Sequence, residues 1–248
     1  MSSSGNSDVP KGLISPPYND DQFIKWLKYF EGYYEYFYVD TKGLVTIGTG
    51  LMYESADVAV SGHPQEDKLE FYSKDAITPL RGDELIKAVK KDFTMVKDMH
   101  LAAGMGTEKK TTIRATTESL DKVFKTRLET ATEGARKYFE IDDSLSILYT
   151  RPYKYFYQLP ISVQYALIDM DYNLGTGGQN KKTKKYSGLM QYRTLRKTLK
   201  TGDWDKAAGE CHRKGPSAYR NNQIAKWIKW NSYKVIAPVY NCVNYFDL

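Results

Sequence analysis

The sequence predicts an α+β fold that is mostly helical, and three patterns carry that expectation. DQFIKWLKYFEG places Phe23, Trp26, Leu27 and Phe30 at helical spacing, so an amphipathic helix should bury that side and stop near Gly32. The following YEYFYVDTKGLVTIGTG is rich in Tyr, Val and Ile and is broken by Asp40, Thr41, Lys42 and Gly43, which reads as two short strands joined by a turn. In ITPLRGDELIKAVKKDFTMVKDMH, Leu85, Val89, Phe93 and Val96 recur at helical spacing, with Thr78 as the expected cap and Pro79 near the helix start. Another helix is expected over SLDKVFKTRLETATEGARKYF. The last segment, YKVIAPVYNCVNYFDL, alternates apolar positions like a strand or an irregular tail packed on the body.

Glu31, Asp40 and Thr46 fall inside the first helix and the hairpin: an acid, eight residues, a second acid, five residues, a hydroxyl. Two separated carboxylates near a hydroxyl can protonate a leaving oxygen and direct a water at a sugar carbon. Glu31 is expected in the last helical turn, where the negative end of the helix dipole and the flanking Phe30, Tyr33 and Tyr34 disfavour ionisation, as suits a general acid. Pairing of the hairpin arms would bring Asp40 and Thr46 above one groove. Gly48 and Gly50 would leave the backbone open to a closely approaching ligand. Taken singly, Glu31 reads as a solvated helix-end carboxylate and Asp40 as a turn former; their combination points to glycoside hydrolysis. Glu35, four residues after Glu31, reads as a surface residue.

Glu31, Asp40 and Thr46, followed by TIGTG, resemble the catalytic signature of the phage-type lysozymes of glycoside hydrolase family 24, which cut the glycan of peptidoglycan. LPISVQYALIDMDYNLGTGG is similar to that family's central buried helix and glycine turn, and YRTLRKTLKTGDWDKAAGECHR and YRNNQIAKWIKW to its C-terminal helices. The resemblance covers roughly 21–95 and 159–230. It implies a lysozyme-like, two-lobed fold with the active-site cleft between a small helix-plus-hairpin lobe and a larger helical lobe. It also implies Glu31 as general acid, Asp40 as the group that positions or activates water, Thr46 as its partner, and Tyr172, Asn173 and Thr194 as groove-lining residues. Leu51 stands where many members have a histidine, so a supporting ion pair is expected to be absent. On this reading residues 1–20 are a flexible leader and 21–248 the lysozyme-like domain: small lobe 21–77, connecting helix 78–100, an insertion 101–158, and helical lobe with C-terminal extension 159–248. The insertion reads first as added helical packing, although Tyr149, Tyr153, Tyr155, Phe156 and Tyr157 offer a sugar-stacking edge as the alternative.

The resemblance implies a muramidase that hydrolyses the β-1,4 bond between N-acetylmuramic acid and N-acetylglucosamine, with inversion expected because a water must fit between the carboxylates. A chitinase or chitosanase on a related scaffold and a non-catalytic cell-wall-binding module stay open. Composition fits an ordinary globule of 248 residues, 41% apolar and 27% charged. No continuous apolar segment is long enough to span a bilayer and no signal core is visible at the N-terminus. The protein is expected to be made in the cytoplasm and to act in the periplasm or wall, as a phage endolysin or as a toxin delivered to other cells and guarded in the producer by an inhibitory immunity protein. The net charge of +6 favours encounter with a polyanionic wall; the KKTKK run at 181–185 reads as a solvated loop or as a wall- or partner-binding loop. The 21 tyrosines with basic charge invite a nucleic-acid reading, but no nucleic-acid motif supports it. Cys211 and Cys242 allow one bridge or two buried thiols. His63, His100 and His212 share no metal-site spacing, so neither a metal nor a cofactor is expected.

Overall fold

The computed structural model describes residues 16–40, 42–61, 68–76, 78–99, 106–141 and 152–233. Most of the expected leader, Thr41, His63, His100, Tyr149, Cys242 and nearly all of the alternating tail lie outside them. The described residues are mostly helical with two small antiparallel sheets, the α+β class the sequence predicts. The chain forms two compact units, Met1–Trp26 with Glu129–Leu248, and Leu27–Leu128.

The first helix, α1 (Asp20–Glu31), begins where Asn19 Oδ1 accepts the Gln22 amide at 3.0 Å, with Asp20 and Asp21 in the first turn. A side-chain acceptor and negative charge both suit the exposed amides of a helix start. The helix stops at Gly32, whose φ of +73° belongs to a left-handed cap and whose missing side chain makes room for the ring of Tyr34. Phe23, Trp26 and Leu27 are buried as the spacing predicts, while Phe30, in the last turn, is only half-buried.

In the unit Leu27–Leu128, β1 (Tyr34–Val39), β2 (Val45–Gly48) and β3 (Leu51–Met52) form an antiparallel sheet in that order. After α2 (Ala56–Ser61) comes β4 (Phe71–Ser73), then the long α3 (Gly82–Asp98), the single-turn α4 (Thr107–Lys110), and β5 (Ile113–Ala115), which pairs antiparallel with β4. The next helix is α5 (Thr117–Glu140). Phe37, Val39, Val45 and Ile47 of the first sheet, Leu85, Val89, Phe93 and Val96 of α3, and Leu120 and Val123 of α5 share one core. The four α3 residues are those whose spacing predicts the helix. Its start differs from the prediction: Arg81, not Thr78, is the cap residue, because Pro79 bridges Tyr72 and Leu80 donates its amide to the Phe71 carbonyl at 2.7 Å, tying that segment to β4. Buried Asp92 of α3 accepts from the amides of Thr112 and Ile113 at 2.6 and 3.0 Å and from the Thr112 hydroxyl at 2.9 Å. A carboxylate with three donors is compensated for burial, so Asp92 fixes β5 against α3.

In the other unit, α6 (Ile161–Leu174) is buried without a break from Ser162 to Asp171, as expected of a helix apolar on most sides. α7 (Arg193–Thr201), α8 (Trp204–Glu210) and α9 (Ala218–Lys229) follow. The Asp203 and Ser217 side chains accept from the Lys206 and Arg220 amides and cap α8 and α9. Asp169 is fully buried between two guanidinium groups: Arg220 Nη2 lies 2.6 Å from Oδ1 and Arg213 Nη1 2.8 Å from Oδ2, while Trp26 Nε1 donates to Oδ1 at 3.2 Å. Burial pushes its pKa up, but Arg220, Arg213 and the hydrogen bonds outweigh this and hold it below the usual carboxylate range. Phe23 stacks on Tyr165 at 4.4 Å and Trp26 packs on Trp227 at 4.5 Å. Cys211 is buried, its thiol donating to the Ala208 carbonyl at 3.2 Å.

Candidate active site

The register of the hairpin sorts its side chains. Val39 pairs with Val45 and Tyr38 with Thr46, and an irregularity in β1 then brings Tyr34 opposite Gly48. Because side chains alternate along a strand, Phe37, Val39, Val45 and Ile47 take the core face, which matches their burial. Tyr38, Thr46 and Gly48 take the other and are buried there too, while Asp40 lies just past the end of β1. Of the two residues singled out by sequence, Thr46 lies on this side of the ribbon and Asp40 at its turn end.

Glu31 ends α1 with Oε1 shielded from solvent. A Cβ placed on Gly50 would lie 4.0 Å from Glu31 Oε2, so the second glycine of TIGTG sits beside the carboxylate. Tyr38 connects this corner to the hairpin: its hydroxyl hydrogen-bonds the Gly50 backbone and lies within the electrostatic reach of Glu31 and Asp40. Burial, then the proximity of Tyr34, Asp40 and Glu31, pushes the phenol pKa well above its ordinary value, against the lowering effect of the Gly50 hydrogen bond. At neutral pH Tyr38 is consequently a neutral hydroxyl next to two acidic groups.

Asp40 closes the turn. Its Oδ1 accepts the Lys42 and Leu44 amides, both at 2.8 Å, while its backbone amide donates to the Leu44 carbonyl at 2.9 Å and its carbonyl accepts from Gly43 at 3.1 Å. Oδ2 accepts no hydrogen bond from a described residue. Thr46 is buried and donates its hydroxyl to the Leu44 carbonyl at 3.1 Å, which leaves its oxygen lone pairs as acceptors. Gly48 and Gly50 have φ of +61° and +84°, conformations that favour glycine. The missing side chain of Gly48 also accommodates Leu120, 2.9 Å from where a Cβ would stand, so local packing accounts for this glycine. Leu51 is a core residue opposite Ile47. Glu35 is half-buried and accepts from the Thr117 hydroxyl at 2.9 Å.

Tyr172, Asn173 and Thr194 belong to the other unit. Tyr172 is half-buried and Asn173 exposed in the last turn of α6; Thr194 is exposed in the first turn of α7. Of the aromatic segment before α6, Phe156 is buried and Tyr153 packs on Trp204 at 5.2 Å, while Tyr155 and Tyr157 are exposed. A cavity of about 350 Å³ beside Phe71, Pro79 and Leu85 has none of the predicted site residues in its lining. Sequence reasoning missed Tyr38. It stands two residues before Asp40, but five consecutive residues rich in aromatics, YEYFY, give it no distinguishing mark. In the other unit, Asp171 also carries no mark in the sequence: Oδ1 is buried with no hydrogen-bond partner among the described residues, Thr176 hydrogen-bonds the carboxyl, and burial raises its pKa to about 6.

A scan against models of known protein families gives no match, and a search of curated proteins gives none either. Among the described residues, no helix is long and apolar enough to cross a membrane.

Proposed function

We propose that the chain is a muramidase acting on the β-1,4 bond between N-acetylmuramic acid and N-acetylglucosamine. The observation that carries this reading is the β1–β2 ribbon, where Tyr38 stands opposite Thr46 and within electrostatic reach of both Asp40 and Glu31. Glu31 gives its proton to the leaving sugar oxygen. Asp40, held rigidly through Oδ1, uses Oδ2 to orient a water and to take its proton as the water oxygen bonds to the anomeric carbon; Thr46 supplies a further acceptor on the ribbon. The glycosidic C–O bond breaks as the new one forms, with inversion, the outcome expected for carboxyl groups about 6.5–9.5 Å apart. The substrate identity rests on the family resemblance of the Glu31, Asp40 and Thr46 spacing.

The site of action under this reading is the bacterial wall, reached as a phage lysis enzyme or as a delivered toxin with an inhibitory partner in the producing cell. The test is digestion of purified peptidoglycan beside chitin and chitosan, with mass analysis of the products. New reducing muramic ends from peptidoglycan alone support the proposal; release from chitin or chitosan in their place assigns a related glycosidase. A second reading, a wall-binding module without turnover, draws on the use of Asp40 Oδ1 by the turn itself. Binding to sacculi with no fragment release would favour it.

A further inference from the structure

The segment between α6 and α7 is a scaffolded cationic tip. Its base is closed by bonds from the Leu189 amide to the Gly175 carbonyl at 2.8 Å and from the Met190 amide to the Thr176 carbonyl at 3.0 Å. At this base a Cβ on Gly177 would collide with the Ser187 carbonyl and one on Gly188 with that of Gly175. Above it, Gln179 bridges Tyr186, and Asn180 exchanges backbone bonds with Lys184 and Lys185, each 2.8 Å. The polar side chains are consumed in holding this shape: Asn180 Oδ1 accepts the Lys182 and Thr183 amides at 2.9 Å, and Gln179 Nε2 donates to the Lys184 carbonyl at 3.0 Å. Lys184 is held at φ +59°, a left-handed conformation that L-residues other than Gly, Asn and Asp seldom take.

Lys181, Lys182, Lys184 and Lys185 are all exposed, and none forms a salt bridge with a described residue. The sequence has no acidic residue between Asp171 and Asp203 to neutralise them. A loop that is only solvated needs neither this internal bonding nor a strained lysine. Four like charges fixed together repel, and an external polyanion relieves that repulsion. Lysine ammonium groups are compact point charges without the planar fork that arginine uses to pair with single carboxylates, so the tip suits a chain of repeated, uncompensated charges. The peptide stems of peptidoglycan fit less well, because ammonium groups can offset their carboxylates.

We propose that the 179–186 hairpin docks on a phosphodiester-linked anionic polymer of the bacterial wall and holds the enzyme near its glycan. The choice of a wall polymer rests on the muramidase reading; the cationic tip does not. The experiment is co-sedimentation of the full chain with walls bearing the polymer and with the same walls after hydrofluoric acid has removed it, each at low and high salt. Removing the polymer should weaken binding about 10- to 100-fold at low salt, and high salt should abolish the difference. The variant with all four lysines changed to Gln should show the same loss on polymer-bearing walls, and the variant with all four changed to Arg should keep the binding, both folding normally by circular dichroism. Equal binding by wild type and the Gln variant, binding unaffected by stripping, or equally tight binding to duplex DNA at matched phosphate would each overturn the proposal. Fragment release from stripped walls separates the two readings. If wild type releases nothing, the muramidase reading fails while sedimentation still reports on the hairpin.

Discussion

Tyr38 and Thr46 stand opposite each other across the β1–β2 ribbon, and this pairing fixes which residues can work together. One step along, Val39 and Val45 enter the core. A one-residue slip in register would exchange the two sets, turning Tyr38 and Thr46 into the core and the two valines out of it.

The two roles of Asp40 can be separated by substitution. Asp40→Asn keeps an oxygen to accept the Lys42 and Leu44 amides but loses the charge that would take the proton of water. We expect stability within about 1 kcal/mol of wild type and peptidoglycan hydrolysis reduced at least ~100-fold. Asp40→Ala should lose activity equally and also cost about 1–2 kcal/mol, since two amides lose their acceptor. Urea unfolding and turbidity assays check both; full activity in Asp40→Asn would reduce the residue to a turn former.

Tyr38→Phe removes one hydroxyl while keeping the ring that packs on Tyr34 at 4.8 Å. Loss of its contact with Gly50 and of a neutral dipole beside both acids is expected to lower kcat/KM about 10-fold and to move the limbs of the pH–rate profile, with an unchanged fold. A profile that only scales down without moving would show that the hydroxyl serves structure alone.

The first helix, the hairpin, the 119–139 helix and the α3 core positions were legible because each shows its period over several turns or strand residues. β4 and β5 were not: FYS and IRA are too short to alternate detectably, and their pairing is long-range. Nothing in one dimension marks Asp92 and Asp169 for burial, since what permits it is donors distant in sequence. Of the candidate site, the acid spacing was readable, as were the placing of Thr46 in the ribbon and of Asp40 at its turn. The contact of Tyr38 with Gly50 was not, because it depends on where the chain carries Gly50.

Asp171 makes stability depend on pH. Its folded-state pKa of about 6 is raised by burial, against the lowering effect of its Thr176 hydrogen bond. A raised carboxyl favours folding fully below the unfolded value near 4, and the contribution is lost as pH rises through about 6. Asp171→Asn should therefore leave stability near pH 4 little changed but raise it by about 1–3 kcal/mol at pH 8. Melting temperatures across that range test the sign: an Asn variant less stable at pH 8 contradicts it.

Gly134, in the interior of α5, tests packing against propensity. Helix propensity alone predicts that Gly134→Ala stabilises by about 1 kcal/mol. The added Cβ, however, would collide with Thr176 Oγ1 and the Asp171 carboxyl, whose Cγ lies 2.7 Å away. We expect a net loss of about 1–3 kcal/mol, read by urea denaturation.

The central claim is that Glu31 protonates a glycosidic oxygen of peptidoglycan. Mass spectrometry of soluble fragments released from purified sacculi, with wild type beside Glu31→Gln, tests it most directly. We expect fragments with reducing muramic ends from wild type and at least ~1000-fold slower release by a folded Glu31→Gln variant. Anhydro ends, reducing glucosamine ends, cleaved peptide stems, or equal release by the variant would contradict it.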